Sequence, residues 1–146
     1  LLITLDTTRA DYLGCYGSPD VRTPHIDALA RDGVQFLHHV APSQCTNPAH
    51  ATIMTGLYLA RHRVYDNKTP LSEEAVTLAE ILAARGYATL AAVSARHLNP
   101  PNSGFGQGFA RFLECRKMDM PAGKRNGAFL RELGRIRHPA RLAGAP

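Results

Sequence analysis

Along the first 110 residues, short apolar runs alternate with helical segments that open on a hydroxyl residue and stop at glycine. That alternation predicts an α/β chain, a parallel sheet with helices on both faces. Residues 1–5 (Leu-Leu-Ile-Thr-Leu) have the pattern of a buried strand with Asp6 at its carboxyl end. Thr23-Pro24 opens a helix whose apolar face is Ile26, Leu29 and Ala30 and which Gly33 stops. A second strand is expected over 34–40, a loop over 42–48, a short helix over 49–55 ended by Gly56, and a polar loop over 57–75. Thr77 with Glu80 forms a capping box for a helix that buries Leu78, Ile81 and Leu82 and ends at Gly86. A strand over 87–93, a loop over 99–108 and a weaker helix over 125–137 complete the pattern.

The net charge of +5 is unevenly placed. Residues 1–110 carry 8 basic and 9 acidic side chains, whereas residues 111–146 carry 9 and 3. Residues 116–141 of the basic cluster hold a single aromatic residue, Phe129, and one ring is no platform for stacking bases, so a solvated helix face is expected and nucleic acid is not the expected partner. No run approaches the roughly 18 apolar residues of a membrane helix. Cys15, Cys45 and Cys115 lack CxxC spacing, which argues against a zinc ribbon or a disulfide scaffold. Cys15 is expected to be buried packing. His38 and His39 alternate within the expected second strand, and neither is expected to be a ligand.

Sites in open parallel sheets form at carboxyl strand ends, which draws attention to Asp6. The same residue could equally cap the following turn. In Thr46-Asn47-Pro48-Ala49-His50, a hydroxyl stands just before a proline-started helix. Amide N–H groups and the helix dipole there favour an anion. A nucleophile attacking a phosphoryl or sulfuryl group suits such a place, given a base or metal to activate it. His50, four residues on, returns to the same face and could hold the anion or the nucleophile's proton. An ordinary N-cap threonine followed by a surface histidine fits the spacing as well.

Six segments in order resemble the N-terminal part of the sulfatase family, within the alkaline phosphatase superfamily. Residues 2–11 resemble its opening strand and metal-binding Asp. Gly14-Cys15-Tyr16-Gly17 with Thr23-Pro24-His25-Ile26-Asp27 resembles YG…TPNLD, and residues 48–56 resemble the PSRxxLxTG helix. His62-Arg63-Val64-Tyr65-Asp66-Asn67 resembles the HGVxDN turn; Gly86-Tyr87-Ala88-Thr89 and Gln107-Gly108-Phe109 also fit. The resemblance covers about residues 1–115 and implies an alkaline-phosphatase-like fold. Residues 116–146 would be a basic, partly helical continuation.

Counting back from Thr55-Gly56, the position of the family's modified cysteine is Thr46, and Cys45 lies one place early. His50 replaces the family Arg and Thr7 replaces the second Asp of its Asp-Asp pair. The resemblance therefore implies a metal-dependent hydrolase of sulfate, phosphate or phosphonate esters with a Thr46 nucleophile, phosphoesters slightly preferred. His50 would share the catalytic role. Asp6 and Thr46 would hold a divalent ion (Zn, Mn or Ca), and Asn67, Thr7 and His97 would contact substrate. The expected substrate is an anionic ester of a small molecule, polysaccharide or lipid. A formylglycine-type sulfuric ester hydrolase, a phospho-group transferase and a non-catalytic anion-binding module are the alternatives. The Asp-His or Asp-Asn pair such a metal site needs from a later strand is absent, since Asp119-Met120 is the one Asp after Asn67. The expectation is an N-terminal fragment of a longer chain, inactive alone.

Overall fold

The computed structural model describes residues 1–114. These fall into two compact units, residues 1–41 and a second that opens at Pro42. The expected helix over 125–137, the basic segment, the boundary after residue 115 and Cys115 lie outside the described residues.

In the first unit, two short 3-10 turns, Ala10–Tyr12 and Gly14–Tyr16, precede helix α1 (Pro24–Asp32). Pro24 begins α1 and Gly33 follows it, as the sequence predicts. The Gly-Cys-Tyr-Gly and Thr-Pro-His-Ile-Asp segments lock onto each other. Asp27 Oδ1 accepts from the Cys15 N–H and from Thr23 Oγ1, and Thr23 Oγ1 accepts from the Gly14 N–H, each at 2.8 Å. A side chain at position 14 would collide with the Asp27 carboxylate, with a Cβ 2.5 Å from Oδ2. Cys15 is half-buried rather than buried.

Neither residues 1–5 nor residues 34–40 form a strand. A strand exists only where its N–H and C=O groups are paired in a ladder, and no described residue supplies that ladder to either run. Their side chains are exposed, Leu2, Ile3 and Leu5 in the first and Val34, Phe36, Leu37 and Val40 in the second. His38 and His39 are likewise exposed. Leu29 also faces out, while Ile26 and Ala30 are half-buried.

The second unit contains α2 (Thr46–Thr55), α3 (Leu59–His62), α4 (Leu78–Ala84), β1 (Leu90–Val93), a 3-10 turn (Arg96–Leu98), α5 (Pro100–Ser103) and β2 (Arg111–Glu114). Thus α3 and α5 occupy segments expected to be loops. The strands pair in parallel, Leu90 opposite Arg111 and Val93 opposite Glu114. Residues 94–110 make the crossover that parallel pairing demands. Thr89 fixes its far end: Oγ1 donates to Gly108 O at 2.6 Å and accepts from the Ala110 N–H. Ala51, Val64, Leu71, Leu98 and Phe105 form the core, with Ala75, Val93 and Ala95 packed against it. No helix among the described residues is long and apolar enough to cross a membrane.

The capping box of α4 forms as expected. Thr77 Oγ1 accepts from the Glu80 N–H at 3.2 Å, and Glu80 Oε2 accepts from the Thr77 N–H at 2.8 Å. The expected buried face does not: Leu78 and Ile81 are exposed and Leu82 is half-buried, while Thr77 and Ala79 are buried. At the start of α4 the main chain of Gly108 lies against Ala79 and Glu80, so close that a Cβ on residue 108 would stand 2.3 Å from the Glu80 nitrogen.

Arg63, after α3, has a left-handed backbone (φ 59°) where the resembling turn has glycine. Its Cβ makes that conformation costly, by roughly 1–2 kcal/mol. Glycine removes the cost but is more flexible when unfolded, by about 0.5–1 kcal/mol. Arg63→Gly is therefore expected to stabilise the protein by about 0.5–1 kcal/mol, read as a higher urea midpoint at unchanged m.

Candidate active site

Helix α2 begins at Thr46 itself, with Cys45 as N-cap in an extended conformation that makes no side-chain capping bond. The sequence-based start at residue 49 was set by proline at position 48, but Pro48 lies in the first turn, where a missing N–H costs nothing. Thr46 is thus the first helical residue rather than the cap. The capping function comes from a distant turn: Asn67 Oδ1 accepts from the Asn47 N–H at 2.9 Å, and the Ala49 N–H bonds to Cys45 O. Gly56 ends α2 in a left-handed conformation, as expected.

His50 returns to the same end of α2. Its Nδ1 lies 2.8 Å from Thr46 O. A carbonyl only accepts, so Nδ1 carries the hydrogen and Nε2 is the basic nitrogen of the neutral ring. The ring also lies against buried Phe105, centroids 6.4 Å apart.

Two further residues hold Asn67 in place, and sequence reasoning missed both. His62 is 5% exposed. Its Nδ1 accepts from the Val64 N–H at 3.1 Å, so Nε2 carries the hydrogen and donates to Thr52 Oγ1 on α2, also at 3.1 Å. Asp66 Oδ1 accepts from the Lys68 N–H, the Thr69 N–H and Thr69 Oγ1 at 2.8–2.9 Å. These bonds shape the turn and draw the Asp66 carboxyl below its ordinary value. The segment 62–67 is therefore fastened to α2 at both ends, through Thr52 and through Asn47.

Burial pushes the His62 imidazole below its ordinary 6.5, opposed by a backbone hydrogen bond. Protonation would also set an Nδ1–H against the Val64 N–H. Between the folded and unfolded pKa values the unfolded chain binds more protons, so stability rises with pH there. The contribution is fully present above about 6.5 and is lost as pH falls through the lower folded value. Urea midpoints measured at about pH 7.5 and about pH 5 should therefore drop on acidification, and drop less in His62→Gln. Equal drops in the two proteins would disprove the assignment.

Thr46, His50 and Asn67 are thus brought together at one helix end. His97 is exposed on the 3-10 turn, whose Leu98 belongs to the core that holds Ala51 of α2. Asp6 and Thr7 belong to the first unit and are exposed in a turn closed by the Thr8 N–H on Leu5 O at 3.4 Å. Asp6 consequently ends no strand. Thr7 has a left-handed backbone (φ 57°), unusual for a β-branched residue. Among the described residues no group of three or more His, Cys, Asp or Glu side chains could hold a metal ion.

The family described as Sulfatase matches residues 1–127. The chain is 38% identical over 92 residues to the multifunctional alkaline phosphatase superfamily protein PehA of Trinickia caryophylli, covering 60% of this chain and 18% of that one. It is 38% identical over 127 residues to human arylsulfatase A, covering 77% and 24%. Its fold matches the crystal structure of the phosphonate monoester hydrolase of Agrobacterium radiobacter with a TM-score of 0.60 and 30% identity, over 97% of this chain and 31% of that one. The chain thus spans a quarter or less of the two curated relatives, and its described residues are a fragment of an alkaline-phosphatase-like fold. With 127 of its 146 residues matched, the chain belongs to the sulfatase family.

Proposed function

We propose that the protein carrying this chain hydrolyses anionic sulfate, phosphate or phosphonate esters, with Thr46 as nucleophile. The observation that carries the reading is the meeting of Thr46, His50 and Asn67 at the N-terminus of α2. The names of the relatives, a sulfatase and a phosphonate monoester hydrolase among them, keep both sulfur and phosphorus esters in the substrate class.

Thr46 Oγ1 attacks the phosphorus or sulfur, its proton passes to His50 Nε2, and the bond to the leaving-group oxygen breaks, that oxygen taking the proton from His50 and departing as the alcohol. The new threonine ester is then cleaved by water, which restores the hydroxyl and releases the inorganic or phosphonic acid. The α2 dipole stabilises charge on the transferred group, and Asn67 donates to it through Nδ2. A divalent ion (Zn, Mn or Ca) would neutralise charge on the transferred group and lower the hydroxyl pKa. Asp6 in the first unit and Thr46 in the second each offer a hard oxygen donor suited to such an ion. Neither unit holds a group of three or more His, Cys, Asp or Glu side chains for a metal among the described residues, so no step is assigned to the ion.

The test is to trap the protein with an aryl phosphate or aryl sulfate and map the tryptic peptide 32–61, which contains both Cys45 and Thr46. An adduct on Thr46 with Cys45 unmodified is expected. Formylglycine at position 45 would restore a formylglycine sulfatase. Neither product in folded, metal-loaded protein that turns over no ester would leave an anion-binding module. Transfer of the trapped group to an added alcohol in preference to water would make the protein a transferase.

A further inference from the structure

Asn47 lies one residue beyond Thr46 and is fully buried. It joins Asn67 at two points: its main-chain N–H donates to Asn67 Oδ1 at 2.9 Å, and its Nδ2 donates to Asn67 O at 3.4 Å. Both amide orientations follow. A main-chain N–H only donates, so the oxygen end of Asn67 is held on the helix and its NH2 end is left as the donor. Turning the Asn47 amide over would set its oxygen against the Asn67 carbonyl. Asn47 Oδ1 is consequently buried with no hydrogen-bond partner among the described residues. A buried acceptor left unpaired costs stability, and an apolar side chain of similar size would avoid that cost. What the asparagine adds is the second point of attachment, which fixes the Asn67 main chain as well as its side chain.

We propose that Asn47 is a positioning residue that holds the Asn67 donor in register with Thr46. The proposal rests on the reading of Thr46 and Asn67 as nucleophile and substrate contact. It is tested on the complete, metal-loaded protein carrying this chain, with p-nitrophenyl sulfate and bis(p-nitrophenyl) phosphate as substrates. The variants are Asn47→Leu, Asn67→Ala, the double variant and Thr46→Ala.

Asn47→Leu is expected to melt at or above the wild-type temperature while kcat falls about 10–100-fold, the effect of a small misplacement of reacting groups. KM should change less than kcat. In the Asn67→Ala background, Asn47→Leu should cost less than about twofold, because the residue through which it acts is gone. Should Asn47→Leu fail to fold, Asn47→Asp keeps the size and the main-chain bond but replaces the Nδ2 donor with an oxygen; the same fall in kcat is expected. Wild-type kcat in both Asn47 variants, or losses that multiply in the double variant, would overturn the proposal. If Thr46→Ala abolishes turnover in that same set, the reading of the site survives and only the role of Asn47 falls. If Thr46→Ala is fully active, the underlying reading falls first.

Discussion

Gly108→Ala is expected to destabilise the protein by about 3 kcal/mol and to lower its melting temperature by more than about 10 °C. Two costs combine. Position 108 has a left-handed backbone, φ +80°, which a Cβ makes unfavourable by roughly 1–2 kcal/mol. A Cβ there would also stand 2.3 Å from the Glu80 nitrogen and 2.7 Å from the Ala79 carbonyl carbon. Those are main-chain atoms in the capped first turn of α4, so relief requires moving a helix rather than a side-chain tip. Forcing volume into such a contact costs about 1–3 kcal/mol. The Gly108 carbonyl meanwhile holds Thr89 Oγ1 at the entrance to the parallel pair, so displacement on one side is transmitted to β2. Gly56→Ala separates the two costs, because φ is +69° there but, its chain neighbours aside, no described residue has an atom within 4 Å of the added carbon. It should lose only the conformational part, about 1 kcal/mol. Calorimetric melting of the two variants decides the point, and equal losses would show that the contact with α4 is not as tight as described.

Where the chain's own near neighbours decide structure, the sequence was a sufficient guide. Pro24 and Gly33 bound α1, and Thr77 with Glu80 caps α4, because each signal acts within a turn or two. The strand over 90–93 was also legible. Residues 1–5 and 34–40 show the limit: an apolar run states a capacity to pair, but a strand needs a second backbone. The buried face of α4 was misjudged for a related reason. Periodicity ranks Leu78 and Ile81 as core, but both are exposed, and the main chain of Gly108 lies against Ala79 and Glu80 instead, a contact to which hydrophobicity is blind. Thr46, His50 and Asn67 were singled out from spacing and resemblance together, and the first two lie on α2 with Asn67 bonded to its start. Asn47 and His62 were not, since a polar residue beside a motif looks like a spacer until its burial is known. The Asn in Thr46-Asn47-Pro48 was nonetheless a signal, being an amide placed where the first helical turn must pack.

Thr46→Ala is expected to lower turnover of sulfate or phosphate esters by about 10³-fold or more, equivalent to at least about 4 kcal/mol of transition-state stabilisation. On the proposed reading, alanine removes the oxygen that attacks the phosphorus or sulfur. His50 is held by its Nδ1 on Thr46 O, a main-chain atom that alanine keeps, so the imidazole stays in place. The α2 amides and the Asn67 cap are main-chain or remote features and survive as well. Stability should accordingly change by less than about 1 kcal/mol, since Thr46 is partly exposed at the first helical position and fills no core space. The KM of the residual reaction, or the inhibition constant of inorganic phosphate, should stay within several-fold of the wild type. Loss concentrated in kcat is what a nucleophile produces, whereas a binding threonine would raise KM at constant kcat. Thr46→Ser, which keeps the oxygen and drops only a methyl group, should retain activity within about tenfold. Cys45 provides the opposing control: Cys45→Ser should be near wild type if the nucleophile stands at 46, and inactive if the reacting group is made from the cysteine at 45. Activity that survives Thr46→Ala but not Cys45→Ser would shift the chemistry one residue toward the N-cap, to a side chain with no helical amide of its own to hold the developing charge.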